Sequence, residues 1–405
     1  MNPRLDLLQP YPFEKLRALL DSVTPPKGLK PIALQIGEPQ HPTPALLKDA
    51  LVASLGELAR YPLTKGLPEL REAIAAWLAR RHGLGRVDAE REVLPVAGSR
   101  EALFSLAQAI LDPDDPDALV ACPNPFYQIY EGATLLGGAR PYFVNALPQR
   151  DFRPDWRAIP AEVWRRVRIV FTCSPGNPTG RVMPREEWEE LFRLADEYGF
   201  VIVSDECYSE IYFDETAPPL GAMRVARELG RSGFRSLVVM GSLSKRSNAP
   251  GLRSGYAAGD PAILERFALY RTYHGTALSN TVQRASIAAW QDEAHVVENR
   301  RLYREKFARF REILAPALPL RMPDAAFYYW AQVPGGNDEA FARDLYAAAN
   351  VTVLPGSYLS REAHGVNPGR GFVRIALVST VEETEDAARR IRDFVSARAL
   401  APAAR

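Results

Sequence analysis

Arg168-Ile169-Val170-Phe171-Thr172-Cys173 and Phe200-Val201-Ile202-Val203-Ser204-Asp205 are two short apolar runs with a helical stretch, 185–198, between them. A strand that is apolar along its whole length, with no alternation, is covered on both faces. Further runs of the same kind stand at 118–122, 237–241 and 254–258. Short apolar strands alternating with helices predict an α/β architecture with a mostly parallel central sheet.

Working outward, Leu70, Ile74, Trp77 and Leu78 recur at helical spacing and predict a helix over 69–81. Leu103, Leu106 and Ile110 do the same over 99–111, with Ser99 as the expected N-cap. Beyond residue 290 the texture changes. A long charged helix (293–314) precedes strand candidates at 327–332 and 371–378 and a closing helix at 381–398. We therefore expect a large α/β domain over 46–290. A smaller α+β domain is expected from 291–405, completed by an arm at 1–45 that is proline-rich apart from an amphipathic piece at 13–20.

At 405 residues the chain is long enough for two or three domains. Hydrophobic residues make up 47% and charged residues 24%, as in an ordinary globular protein. A net charge of +1 argues against nucleic acid or an anionic membrane as a partner. The three cysteines (Cys122, Cys173 and Cys207) form no C-x-x-C pair and suit a reducing compartment. No apolar stretch approaches the roughly 20 residues that span a bilayer, and no signal-like segment opens the chain, so a cytoplasmic location is expected. No metal site is expected.

Ligands of open α/β sheets bind beyond the carboxyl ends of the strands. Four polar groups fall there: Asn177, Asp205, Lys245 and, opening a helix, Ser99. The lysine stands out by composition. The chain has 50 basic residues but only seven lysines, and Lys245 is the only one between Lys65 and Lys306. Arginine keeps its proton up to a pKa of about 12.5–13.8, whereas lysine can be brought low enough to act as a free amine. Gly98-Ser99-Arg100 at a helix start suits a phosphate, although Ser99 reads equally as a simple cap. Ser242, Ser244 and Arg253 add hydroxyls and a guanidinium. An inward-facing Asp205 is costly unless it meets a cation.

These residues together resemble the class I/II, fold-type I pyridoxal-phosphate aminotransferases. The resemblance runs in order over nearly the whole chain. It begins with Tyr61-Pro62, Gly66-Leu67-Pro68-Glu69-Leu70-Arg71 and Gly98-Ser99-Arg100-Glu101-Ala102. It continues through Pro125-Phe126-Tyr127, Ser174-Pro175-Gly176-Asn177-Pro178-Thr179-Gly180 and Asp205-Glu206-Cys207-Tyr208. It ends with Ser242-Leu243-Ser244-Lys245, Arg253 and Arg374. One departure is Asp324-Ala325-Ala326-Phe327, where relatives usually carry Gly before the aromatic pair.

The resemblance implies pyridoxal 5′-phosphate as cofactor and a catalytic set of Lys245, Asp205 and Tyr208. Lys245 would form the Schiff base and shuttle the proton, and Asp205 would pair with the pyridine N–H. Asn177 and Tyr208 would bond the ring oxygen, and Tyr127 would stack on the ring. Ser99, the Arg100 backbone, Ser242, Ser244 and Arg253 would hold the phosphate. Tyr61 would reach the phosphate of a neighbouring subunit in a homodimer. Arg374, with Gly37 and Asn177, would clamp the substrate α-carboxylate. The implied reaction is a ping-pong transamination between small amino-acid and 2-oxo-acid substrates, with 2-oxoglutarate and glutamate as the second pair.

Residues 124–133 and 244–255 look most like the branch that acts on N-succinyl-diaminopimelate in lysine biosynthesis. Donors such as aspartate, alanine or aromatic amino acids stay open, as does a pyridoxal-phosphate C–S β-lyase with the same cofactor residues. A DNA-binding regulator on this fold would need a longer N-terminal segment. A nicotinamide dehydrogenase would need a G-x-G-x-x-G between a strand and a helix.

Overall fold

The computed structural model describes residues 1–400; residues 401–405, the end of the expected C-terminal region, lie outside the described residues. The apolar runs assemble into one seven-stranded sheet. Its spatial order is Val93–Val96, Gly255–Gly259, Leu237–Ser242, Val201–Asp205, Val167–Cys173, Leu119–Asn124 and Arg140–Asn145. Every strand except Gly255–Gly259 runs in one direction, so the sheet is mostly parallel.

Both faces are dry, as continuous apolar strands require. Leu237 and Val239 enter one core with Trp77, Trp188 and Trp290, while Val238 and Met240 enter the opposite one with Leu103, Leu106 and Phe267. Helices Pro68–His82 and Arg185–Tyr198 contribute to the first core, and Ser99–Ile110 and Pro261–His274 to the second.

Two features differ from the sequence expectation. Arg140–Asn145 forms an edge strand that no apolar run announces, because its outer side is left partly open and needs no apolar residues. The antiparallel direction of Gly255–Gly259 is equally silent, since an apolar strand reads the same in either direction.

A second, three-stranded antiparallel sheet (Leu354–Pro355, Phe372–Ala376, Tyr328–Gln332) packs with helices Ala294–Leu314, Asp338–Ala349 and Val381–Leu400. Its core is separate and includes Tyr303, Phe307, Phe310, Tyr329 and Leu345. The arm joins it at two points. Ile32–Ala33 pairs in parallel with Val351–Thr352, and Leu16 of helix Pro12–Leu20 packs on Trp330, Leu354 and Leu359. Among the described residues no helix is long and apolar enough to cross a membrane.

Candidate active site

The parallel register sets the carboxyl ends of three strands level, with Cys173 beside Asp205 and Asp205 beside Met240. A cavity of about 530 Å³ opens beyond these ends, where ligands of such sheets bind. Every residue expected in the site except Tyr61 lines it. Tyr61 is 100% exposed and lies elsewhere on the surface of this chain.

One wall is an anion cradle. Helix Ser99–Ile110 begins at Gly98, with a φ of +82°, so Gly98 and not Ser99 is the N-cap. The reason is steric: a Cβ on Gly98 would collide with the Arg253 guanidinium. Ser99 in the first turn keeps its hydroxyl near the cavity, where the Cys207 thiol approaches it at 2.9 Å. Across the cradle, the Ser242 hydroxyl accepts from the Ser244 backbone N–H at 3.1 Å and donates to the Ser244 hydroxyl at 2.9 Å. Helix N–H groups, three hydroxyls and a guanidinium that no described carboxylate neutralises make a donor set suited to a dianionic phosphate. The residues present therefore fit pyridoxal phosphate at its charged end.

Asp205, only 4% exposed, also lines the cavity. Its carboxylate accepts from the Tyr130 hydroxyl at 3.0 Å and from the Cys207 backbone N–H at 3.3 Å. Burial nevertheless pushes its pKa upward, so the anion gains from a cation placed against it. Lys245 lines the same cavity, on the one-turn helix Leu243–Arg246 after its strand. Burial pushes the ammonium down to about 8, with the Arg374 and Arg253 charges acting in the same sense. Its Nζ donates to the Gly37 carbonyl of the arm at 2.5 Å.

Arg374, 4% exposed, reaches the cavity from the strand Phe372–Ala376 of the small sheet. It donates to Asn177 Oδ1 at 2.8 Å and to the Gln35 carbonyl at 2.7 Å. The Tyr208 and Tyr328 hydroxyls are 2.8 Å apart, and a Cβ on Gly37 would run into Tyr328. Glycine at 37 is thus needed to let the arm pass close to the site. The Ala325–Ala326 departure is accommodated: Ala326 adopts a φ of +69° and both backbone N–H groups are bonded, to Gly180 and Ile211.

Tyr11, Phe13, Glu38, Gln128, Cys207 and Tyr328 also line the cavity, and Tyr130 supports Asp205 from behind. Sequence reasoning missed all of them. Tyr130 carried a faint signal, three residues after Tyr127 at the start of helix Ile129–Leu136. The arm residues carried none, because chain reversal over hundreds of residues brings them here.

Residues 30–391 match the family model described as aminotransferase class I and II. An LL-diaminopimelate aminotransferase of Desulforudis audaxviator is 34% identical over 399 residues, covering 96% of each chain. The solved aminotransferase of Neisseria meningitidis superposes with a TM-score of 0.94 at 55% identity, covering 97% of this chain and all of that one. A Thermus thermophilus structure, described as a probable N-succinyldiaminopimelate aminotransferase, reaches a TM-score of 0.82 at 29% identity, with 94% and 98% covered.

Proposed function

The chain belongs to the class I and II aminotransferases, which use pyridoxal 5′-phosphate, and we propose that its amino donor is N-succinyl-LL-2,6-diaminopimelate, with 2-oxoglutarate as acceptor. The observation that carries the transamination chemistry is a half-buried Lys245 with a lowered pKa, in one cavity with the anion cradle and the Asp205 carboxylate. The donor reading is supported by segments 124–133 and 244–255 and by the described Thermus neighbour. A second reading, LL-diaminopimelate itself, is favoured by what the curated relatives at 34% and 33% identity are called.

When bound, the cofactor supplies an electrophilic carbonyl carbon and an electron sink for the bond broken at Cα. The Ser99, Ser242 and Ser244 hydroxyls, the Arg100 backbone N–H and Arg253 would hold its phosphate. Asp205 would keep the ring nitrogen protonated, held in place by Tyr130 and Cys207. Asn177 and Tyr208 would bond the ring oxygen, with Tyr127 against the ring. Arg374 would exchange its bond to the Gln35 carbonyl for the substrate α-carboxylate. Fixing that carboxylate leaves Cα–H as the bond to break and disfavours loss of CO₂. Lys245, as free amine, would take the proton from the substrate Cα and return it two atoms along, beyond the amino nitrogen, to the carbon that the cofactor supplies.

We also place this chain in a homodimer. Val52, Leu55, Leu58, Tyr61 and Leu63 are exposed together, and Thr64 meets Thr272 beside the exposed Tyr273. A patch of this kind is the usual mark of a protein interface. The separate cores support dividing the chain into a large domain (46–290) and a small one built from 1–45 and 291–405.

The test is a donor panel coupled to 2-oxoglutarate, comparing N-succinyl-diaminopimelate, LL-diaminopimelate, aspartate, alanine and an aromatic amino acid. We expect the succinylated donor to give the highest kcat/KM by at least about tenfold. A higher value with LL-diaminopimelate would establish the second reading. Amino donor alone should convert the visible absorbance of bound cofactor to that of its amine form; no conversion would overturn transamination itself.

A further inference from the structure

Lys245 is carried by a helix of one turn, and such a helix leaves its last carbonyls without partners. The Ser247 N–H bonds the Leu243 carbonyl, but no backbone N–H of the described residues bonds that of Lys245. Its partner is Asn299, 2% exposed on helix Ala294–Leu314, whose Nδ2 donates to it at 3.2 Å. Behind it, Asn299 Oδ1 lies 2.7 Å from His41 Nδ1 in the arm. We propose that Asn299, oriented by His41, is a positioning residue for Lys245: it fixes the backbone from which the amine reaches, and so the path of the proton that Lys245 carries.

The bonding leaves a single arrangement. A carbonyl only accepts, so the Asn299 amide must turn its NH₂ to Lys245 and its oxygen to His41, which then donates from Nδ1. Burial, with the Lys306 charge acting in the same sense, holds His41 down to about 4. Near neutral pH its ring is therefore uncharged, with the proton on Nδ1. His41 is fixed in turn by Tyr303, whose ring centre is 4.7 Å away. Tyr303 stacks on Phe327 at 5.6 Å, and the Phe327 ring centre lies 5.5 Å from Lys245 Nζ. One group of residues thus meets both ends of the lysine, its carbonyl through Asn299 and its amine through Phe327. The following residues are gripped from the same side: Arg246 by Glu293 at 2.6 Å, Ser247 by His295 at 2.8 Å and Asn248 by Thr43 at 2.7 Å. Arg374 lies on a strand, Phe372–Ala376, that shares a core with this helix. The carboxylate clamp and the lysine carbonyl are thereby set by the same packing.

The proposal rests on Lys245 as the proton carrier and not on which donor the enzyme takes, so glutamate serves as substrate. In the cofactor-loaded enzyme, Asn299→Leu should lower kcat at least about tenfold and leave KM for glutamate within about twofold. The isotope effect on kcat from Cα-deuterated glutamate should rise, because proton transfer becomes the slow step. His41→Phe, which keeps a ring against Tyr303, should lower kcat at least about threefold, and the double variant should be no worse than Asn299→Leu alone. His41→Asn, with an N–H near the place of Nδ1, should regain most of the loss. Cofactor-free protein gives a readout without turnover. On adding pyridoxal phosphate, visible absorbance should grow at least about tenfold more slowly in Asn299→Leu than in wild type. Hydride fixation and peptide mapping then locate the bond at Lys245. Thr43→Val loosens the arm without touching Lys245 and should change neither the isotope effect nor that rate. If urea unfolding shows Asn299→Leu to be unfolded, His41→Phe decides alone. A kcat loss below about threefold in His41→Phe, an unchanged isotope effect, or equal losses in Thr43→Val overturn the proposal. Wild-type protein fixed at another lysine would overturn the Lys245 assignment itself, on which the proposal rests.

Discussion

Lys245 is the residue at which composition becomes chemistry. A chain that spends arginine on its surface keeps lysine here, where burial brings the ammonium down to about 8. An ordinary lysine stays charged to about 10.4. In cofactor-free protein, acylation by a limiting amine reagent should therefore rise with pH and level off above about 8 at Lys245, roughly two units earlier than at the exposed lysines. Peptide mapping can read all seven lysines separately. The other lysine with a strong shift, Lys306, is brought to about 7 but is sealed in the small core, so it should stay unlabelled. Labelling of Lys245 in step with surface lysines would remove the free-amine argument. The same shift has a stability sign. Unfolded chains bind more protons at this site between about 8 and 10.4, so the cofactor-free fold gains stability as pH rises through that window.

At the scale of elements, the lysine is only as well placed as the one-turn helix that carries it. The next residue, Arg246, is 2% exposed and anchors that helix in the large core. Its guanidinium lies 5.4 Å from the Trp77 ring and 4.9 Å from that of Trp290. It donates to the carbonyls of Ala289 and Asp292 at 2.7 and 3.2 Å, and to Glu293 at 2.6 Å. A lysine cannot stack its charge between two indoles or reach three acceptors in one plane. Arg246→Lys should therefore destabilise the protein by about 3 kcal/mol in urea unfolding and lower kcat, despite conserving charge. A loss below about 0.5 kcal/mol would show that the anchor is dispensable. The strands at 167–173, 201–205 and 237–242 were legible because burial on both faces writes an unbroken apolar run. The edge strand Arg140–Asn145 was not, because an element half open to water has no such constraint.

For the whole molecule, the exposed Leu58 and Leu63 beside Tyr61 bear on assembly. If this face joins two copies, Leu58→Glu with Leu63→Glu should give a monomer by sedimentation velocity, folded but with little activity. A wild-type monomer, or a double variant that still dimerises and turns over, would refute the homodimer. What the sequence by itself determined was the layered, mostly parallel sheet, the stretches of chain that form its apolar strands and the strand-exit residues Asn177, Asp205 and Lys245. Those follow from local rules: apolar runs must be buried, and polar residues at their carboxyl ends must face a ligand or water. Only the tertiary structure decided which distant residues share the cavity. Tyr11 of the arm comes to Arg100 with no signal in the sequence, while Gly37 and Arg374, which only the family resemblance had set in the site, reach Lys245 and Asn177 from the arm and a separate sheet. Such meetings depend on how two cores and an arm pack in three dimensions, and no local spacing records that.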